Sequence, residues 1–207
     1  MNLYEYLKRV YGTNEPFLTS EIQYKAYSKP WLYKELNKLC EEGKIIRYER
    51  GIYYIPTQTI MGPSILDPRK VIKKKYINDG ENIIGYFSGI TFLNQLSLTT
   101  QMSNVIEIYT KNEPSNVRDV YVGKQRVLLR KARTRIDNTN VAVLSFLELM
   151  NTISSKFIDD EKKSIIEKYM SDNDITRNDI TTYAPLFPDK VFRTLVESGL
   201  IYSVAQG

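Results

Sequence analysis

Residues 28–56, SKPWLYKELNKLCEEGKIIRYERGIYYIP, contain the pattern that decides the fold of the N-terminal part of the chain. Ser28 can cap a helix, and Pro30 is tolerated in its first turn because no intrahelical N–H is required there. Gly43 stands where helices commonly end in a left-handed residue. The helix between these signals has an apolar stripe at helical spacing, formed by Leu32, Leu36 and Leu39.

A tight hairpin is predicted directly after this helix. The segments 44–48 and 52–55 are typical of short strands, and Gly51 can take the positive φ that the turn between them requires. Further upstream, apolar residues at helical spacing predict a first helix over residues 2–11, and Thr19 or Ser20 can cap a short second helix.

Three helices followed by a hairpin form a winged helix-turn-helix. We therefore expect residues 1–60 to be a winged helix-turn-helix domain that binds duplex DNA. Residues 61–70 combine prolines and a glycine that break the periodicity, and they are predicted to be a linker.

Residues 71–207 predict a mixed α/β domain with antiparallel strands and a helical tail, so the fold class of the whole chain is α+β. The predicted elements are a helix capped by Ser88, a strand over 104–110, a hairpin of 118–122 and 126–130, and helices near 140–153, 159–170 and 188–198.

The face of the 28–42 helix opposite its leucines is the predicted DNA-binding face. In helix-turn-helix proteins the early residues of the recognition helix enter the major groove, and basic residues of the hairpin can contact the backbone or the minor groove. In the alternative interpretation, Trp31 packs on the first helix or on the second domain and the lysines are only solvated. The predicted DNA-binding residues are Tyr27, Ser28, Lys29, Trp31, Lys34, Lys38, Arg47 and Arg50.

Positive charge is concentrated in the middle of the chain. Residues 61–140 carry 13 basic and 7 acidic side chains, whereas residues 141–207 carry 7 basic and 10 acidic ones. A basic surface attracts nucleic acid or an acidic protein, although edge strands also carry charge merely to prevent pairing. The predicted second interaction surface, which we call the basic strip, consists of Lys124, Arg126, Arg130, Lys131, Arg133 and Arg135.

The composition argues against most enzyme classes. The chain has no histidine and a single cysteine, Cys40, so catalytic triads, Cys–His dyads and most zinc sites are unavailable. No glycine loop suited to phosphates is present, and we expect no catalytic residue, metal or cofactor. No apolar run has the length of a membrane span or a signal peptide, so we expect a cytoplasmic protein without membrane association.

Three segments resemble the AbiEi family, the antitoxins of type IV toxin–antitoxin and abortive-infection systems. They are RGIYYIP at 50–56, GYFSGITFLNQLSLTTQMSNVIEIYT at 85–110, and the basic hairpin at 118–135. The resemblance implies a winged helix that represses its own promoter by binding an inverted repeat. It also implies a C-terminal antitoxin domain acting against a nucleotidyltransferase-like toxin, without requiring a stable complex between the two proteins.

Two other functions remain open from the sequence. The chain can be a winged-helix regulator whose C-terminal domain senses a ligand or forms a dimer. It can also be a protein-binding adaptor whose winged helix does not contact DNA.

Overall fold

The structure is a computed structural model that describes residues 1–24 and 28–203. It has mixed α+β architecture and divides into two compact units. The first unit contains Met1–Lys74 together with Val122–Lys124, and the second contains the rest of the chain. No described helix is long and apolar enough to cross a membrane.

The first unit surrounds a small apolar core. Leu3 and Leu7 of the first helix, Phe17, and the leucines at 36 and 39 are all buried in it. Its secondary-structure elements are α1 (Leu3–Tyr11), β1 (Phe17–Leu18), α2 (Lys29–Glu41), β2 (Ile46–Glu49), β3 (Ile52–Tyr54), β4 (Gln58–Thr59), β5 (Gly62–Pro63) and α3 (Pro68–Ile72).

A three-stranded antiparallel sheet, ordered β1-β3-β2, covers this core. The middle strand β3 is paired on both edges, and all three of its residues are buried. Gly43 has φ of 68° after the end of α2, as expected for a left-handed helix stop. The turn between β2 and β3 contains Gly51, whose φ is 79°.

Two local expectations for the first unit need correction. The predicted second helix is a single 3-10 turn, Thr19–Glu21, and neither Thr19 nor Ser20 caps it. The cap contact is made instead by the Glu21 carboxylate, which accepts the backbone N–H of Leu18 at 3.2 Å. Ser28 does precede α2, but its side chain makes no capping hydrogen bond.

The segment predicted as a linker, 61–70, is part of the first unit, which extends to Lys74. It contains β5 and the beginning of α3, and Leu66 within it is only 1% exposed. The Asn14 amide contacts Thr57 and Ser64, and so ties both ends of the β4–β5 hairpin to the loop after α1.

The second unit is built on a four-stranded sheet ordered β10-β11-β9-β8. A π-helical turn, Lys73–Ile77, leads into this unit from α3. Its elements are β6 (Asn78–Asp79), β7 (Asn82–Ile83), β8 (Gly85–Ser88), α4 (Gly89–Gln95), β9 (Val105–Thr110), β10 (Val117–Val122), β11 (Gln125–Lys131), α5 (Val141–Thr152), α6 (Asp160–Asp172), α7 (Arg177–Tyr183) and α8 (Asp189–Glu197).

The sheet contains the predicted antiparallel strands and, in addition, one parallel pair that was not predicted. Strands β8 and β9 are antiparallel, but β9 and β11 are parallel, with Arg126 opposite Val105 and Lys131 opposite Thr110. The physical reason is the strand order: β10 lies at the edge, so β11 is inserted beside β9 and runs in the same direction.

The helical tail packs around α5, whose residues Val143–Met150 are all buried. A helix that is apolar on all sides must be covered on all sides, and α4, α7 and α8 supply that cover together with β8. The predicted helices of the tail are present, and α7 is an additional one that the sequence analysis did not predict.

Candidate nucleic-acid interface

A cleft of about 560 Å³ opens in the first unit between α2 and the β2–β3 hairpin. Its position follows from the core stripe of α2: because Leu36 and Leu39 point inward, the flanking positions point towards the hairpin. We call it the helix–hairpin cleft, and it is lined by Tyr33, Asn37, Arg47, Arg50, Gly51 and Tyr53.

The two arginines give this cleft its positive charge. Arg47 and Arg50 are both exposed, and neither forms an ion pair with any carboxylate in the described part of the chain. A β-bulge shifts the register of β2 against β3 between Arg47 and Glu49, and a bulge of this kind re-aims the side chains beside it. Unpaired guanidinium groups at a surface are available to bind anions.

The helix contributes exposed polar groups. Lys34 and Lys38 face solvent, as predicted, and so do Ser28 and Lys29 at the beginning of α2. Tyr27 lies outside the described residues.

Trp31 is only partly exposed, whereas the prediction placed it on the exposed stripe of α2. Its ring is half-buried, packs against the core of the first unit and stacks on Tyr24, with centroids 6.5 Å apart and planes 14° apart. Because successive residues of a helix are about 100° apart, Trp31 lies at the border of the stripe that begins at Leu32. A large ring at such a border can reach back to the core.

The sequence analysis missed two residues of the helix–hairpin cleft. Tyr33 is 48% exposed and Asn37 is exposed one turn later, at i and i+4 on the same side of α2. The spacing of these two residues beside Leu36 indicates that they share one side of the helix. The prediction instead used the neighbouring stripe, which contains the basic residues.

Electrostatics in this cleft keep the phenol of Tyr53 neutral. Burial raises the pKa of Tyr53, and the nearby Arg47 guanidinium offsets only part of that effect. Burial likewise raises the pKa of the Cys40 thiol, again against the lowering effect of Arg47. Neither group is therefore an anion at neutral pH, and the positive charge of Arg47 is not neutralised locally.

Five residues of the basic strip lie in the second unit, whereas Lys124 belongs to the first unit. Arg126 forms an ion pair with Asp119, and its Nε lies 2.9 and 3.0 Å from the two carboxylate oxygens. Arg130 donates from Nε and Nη2 to Glu107 Oε2 at 3.3 and 3.2 Å. The remaining basic residues of the strip are exposed and form no ion pair in the described chain: Lys124, Lys131 and Arg135.

Arg133, the fifth residue of the strip, is held in a buried cluster. Its Nε donates to Glu148 Oε2 at 3.1 Å, and the Glu148 carboxylate also accepts from Tyr109 at 3.2 Å and Asn151 at 2.8 Å. Glu148 is only 4% exposed, and the Arg133 guanidinium lies 4.8 Å from the centroid of the Phe187 ring. Three of the six residues predicted to form the basic strip are therefore bound to carboxylates within the protein.

In the buried cluster the pKa values of both Tyr109 and Arg133 are raised. Burial raises the pKa of Tyr109, and the Glu148 carboxylate raises it further. Burial alone would lower the pKa of Arg133, but Glu148, together with Tyr109 and Tyr86, more than offsets burial and the pKa is raised. The cluster is thus an ion pair with a neutral phenol donating to it.

The described residues contain no group of three or more metal-ligating acids and cysteines. No protein-family model matches the chain, and no curated protein matches it.

Proposed function

We propose that the first unit is a winged helix-turn-helix that binds duplex DNA, and that the protein represses its own operon by binding an inverted repeat in the promoter. The observation that supports this proposal is the helix–hairpin cleft. There the exposed side of α2 and two unpaired arginines, Arg47 and Arg50, border one open space.

The cleft is suited to a sugar–phosphate strand. A recognition helix in the major groove and a wing at the neighbouring backbone lie on either side of such a strand. Lys34 and Lys38 on α2 would neutralise phosphates or reach guanine edges, and Ser28 and Lys29 would lie where α2 exposes its first N–H groups to a phosphate. Arg47 and Arg50 would bind the same strand from the hairpin side.

Asn37 is the residue to which we assign base reading. Its amide has no hydrogen-bonding partner in the described chain, and it lies within the cleft. An asparagine amide can donate and accept at the same time, which matches the N6 and N7 positions of adenine in the major groove.

The second part of the proposal is antitoxin activity of the second unit against a nucleotidyltransferase-like toxin. It is supported by the resemblance of residues 85–110 and 118–135 to the AbiEi family. The unpaired residues of the basic strip that belong to the second unit, Lys131 and Arg135, are the groups we assign to it. Co-expression with a neighbouring nucleotidyltransferase gene should be tolerated with the native chain, but not with glutamate at these two positions.

DNA binding is tested with an operator fragment selected from the promoter region. Arg47→Glu combined with Arg50→Glu should weaken binding by about a hundredfold, because each charged hydrogen bond contributes about 1.5 kcal/mol or more. The slope of log affinity against log salt should flatten by about two, since two phosphate contacts are lost. Fluorescence anisotropy over a salt series measures both quantities.

The matched control is Lys8→Glu with Arg9→Glu, the same charge change on the exposed side of α1. The control should retain most of the affinity and nearly the native salt slope. Equal losses in the two double variants would mean that only the net charge matters, and the helix–hairpin cleft would not be the DNA site.

A further inference from the structure

A second cleft, of about 350 Å³, lies in the second unit where β11 ends. Its volume is at the lower end of the range of about 300–1,000 Å³ that small-molecule sites occupy. We call it the strand-end cleft, and it is lined by Tyr109, Asn116, Val117 and the run from Arg130 to Arg133.

The two guanidinium groups of this cleft are fixed in place. Glu107 holds Arg130 by two hydrogen bonds, and Glu148 holds Arg133 from the buried side. The Arg133 guanidinium is also confined between two aromatic rings, 5.6 Å from the centroid of Tyr109 and 4.8 Å from that of Phe187. A guanidinium has five N–H donors, so each arginine keeps donors to spare. Because they are already ordered, they lose little conformational freedom when they bind a ligand.

Two further donors in the cleft have no partner. The Lys131 ammonium and the Asn116 side-chain amide form no hydrogen bond or ion pair within residues 1–24 and 28–203. The backbone keeps the two residues together, because the Lys131 N–H donates to the Asn116 carbonyl at 3.2 Å. Both side chains are exposed and free to bind.

We infer that the strand-end cleft binds a doubly charged phosphate group, such as the terminal phosphate of a nucleotide. Three cations and one amide-bearing side chain line the cleft, and the two carboxylates that orient the arginines leave the cations in excess. A terminal phosphate carries about −1.5 to −2 charges at pH 7 and has three acceptor oxygens, which suits several donors better than a carboxylate does.

The base of such a nucleotide would not be recognised by stacking. The Tyr109 ring is stacked with the Tyr86 ring, with centroids 5.5 Å apart. The Arg133 guanidinium, which binds Glu148, also lies over the Tyr109 ring. The cleft therefore reads the phosphate, and nucleotides with different bases should bind alike. This site does not depend on DNA binding, because all of its residues belong to the second unit.

The test titrates the full chain with sodium pyrophosphate at constant ionic strength, with chloride as the balancing anion and EDTA present. The side-chain amide signal of Asn116 should shift in a ¹⁵N–¹H spectrum as pyrophosphate binds. Lys131→Glu should bind pyrophosphate at least about tenfold more weakly, which corresponds to about 1.4 kcal/mol. Lys168→Glu, the same charge change at an exposed position of α6, should bind like the native protein.

Parallel titrations identify the source of the phosphate. ATP and GTP binding like pyrophosphate would indicate a free nucleotide, and a short RNA that binds better with a 5′-phosphate would indicate a nucleic-acid end. The inference is overturned if the Asn116 amide does not respond, or if both lysine variants bind equally. It is also overturned if unphosphorylated RNA shifts the Asn116 signal as strongly as phosphorylated RNA does.

Discussion

The arginines of the helix–hairpin cleft and those of the basic strip differ in what they contact. Arg47 and Arg50 have no carboxylate partner in the described chain, whereas Arg126, Arg130 and Arg133 each bind one. In the sequence both groups are simply basic residues within short strands or beside them. The difference shows that a count of positive charges does not measure the charge available to a partner.

The paired arginines also differ among themselves, because their partners are buried to different depths. Asp119 is exposed, Glu107 is partly exposed and Glu148 is buried. Removing one partner of a buried pair is costly because the other charge is left without compensation, whereas exposed pairs contribute little. The three paired arginines of the basic strip are therefore graded from a solvated end at Arg126 to a structural end at Arg133.

The largest expected effect is a loss of stability when the buried ion pair of Arg133 is broken. Glu148→Gln replaces a carboxylate oxygen with an amide donor among three groups that donate to it. We expect the free energy of unfolding to fall by about 3 kcal/mol, the lower end of the range for a broken buried pair, because the Arg133 side chain is 26% exposed. Equilibrium unfolding in urea measures this change.

Asp119→Asn is the matched control, since it makes the same chemical change at the exposed Arg126 pair. We expect no measurable change in its urea midpoint. Equal destabilisation by the two variants would contradict the distinction between the solvated and the structural end of the strip.

A smaller effect is expected at Trp31, and it separates packing from DNA contact in the first unit. Trp31→Ala should lower stability by about 2 kcal/mol, roughly half the cost for a fully buried ring, because this ring is half-buried. The salt slope of the proposed DNA binding should not change. The exposed Lys34 offers the opposite case, since Lys34→Ala should flatten the slope by about one and change stability by less than about 0.5 kcal/mol.

A Trp31→Ala variant that is as stable as the native protein but selects a different operator would contradict the packing role. The ring would then contact a base, as the sequence analysis first predicted. Thermal unfolding and selection from a randomised operator pool together distinguish the two outcomes.

Local patterns in the sequence predicted local structure well. The leucine stripe of α2, the left-handed Gly43 and the hairpin turn at Gly123 are all present, because each depends on residues a few positions apart. The parallel pairing of β9 and β11 was not predictable in this way. Residues 111–124 separate these strands, and only the packing of the whole sheet places β10 at the edge.

The chemistry of the sites was less visible than the fold. Glu148 lies 15 residues from Arg133 and 39 from Tyr109, so no motif could reveal that it binds both. Arg133 was therefore predicted to be a free cation. Tyr33 and Asn37 were not predicted for the opposite reason. Their i and i+4 spacing is visible in the sequence, but neither residue carries the positive charge that indicates a DNA-binding surface.

The smallest expected effect is a pair of pKa shifts in two tyrosines, one in each cleft. Tyr53 and Tyr109 both have a pKa raised above the ordinary 10.0 by burial. Arg47 lowers the pKa of Tyr53, so Arg47→Gln should raise it further. Glu148 raises the pKa of Tyr109, so Glu148→Gln should lower it towards 10.0. Titration of ¹³C-labelled tyrosine rings by NMR measures both shifts.

The sign of the stability change follows from the same shifts. A phenol whose pKa is raised by folding holds its proton more tightly in the folded state than in the unfolded state. Its contribution to stability is complete below pH 10 and is lost as the pH rises through the raised folded value. Glu148→Gln should therefore weaken the part of the alkaline unfolding transition that depends on Tyr109, and Arg47→Gln should strengthen the part that depends on Tyr53. If instead Arg47→Gln left the pKa of Tyr53 unchanged, the charge of Arg47 would be neutralised within the helix–hairpin cleft. The contrast between free and paired arginines would then no longer hold.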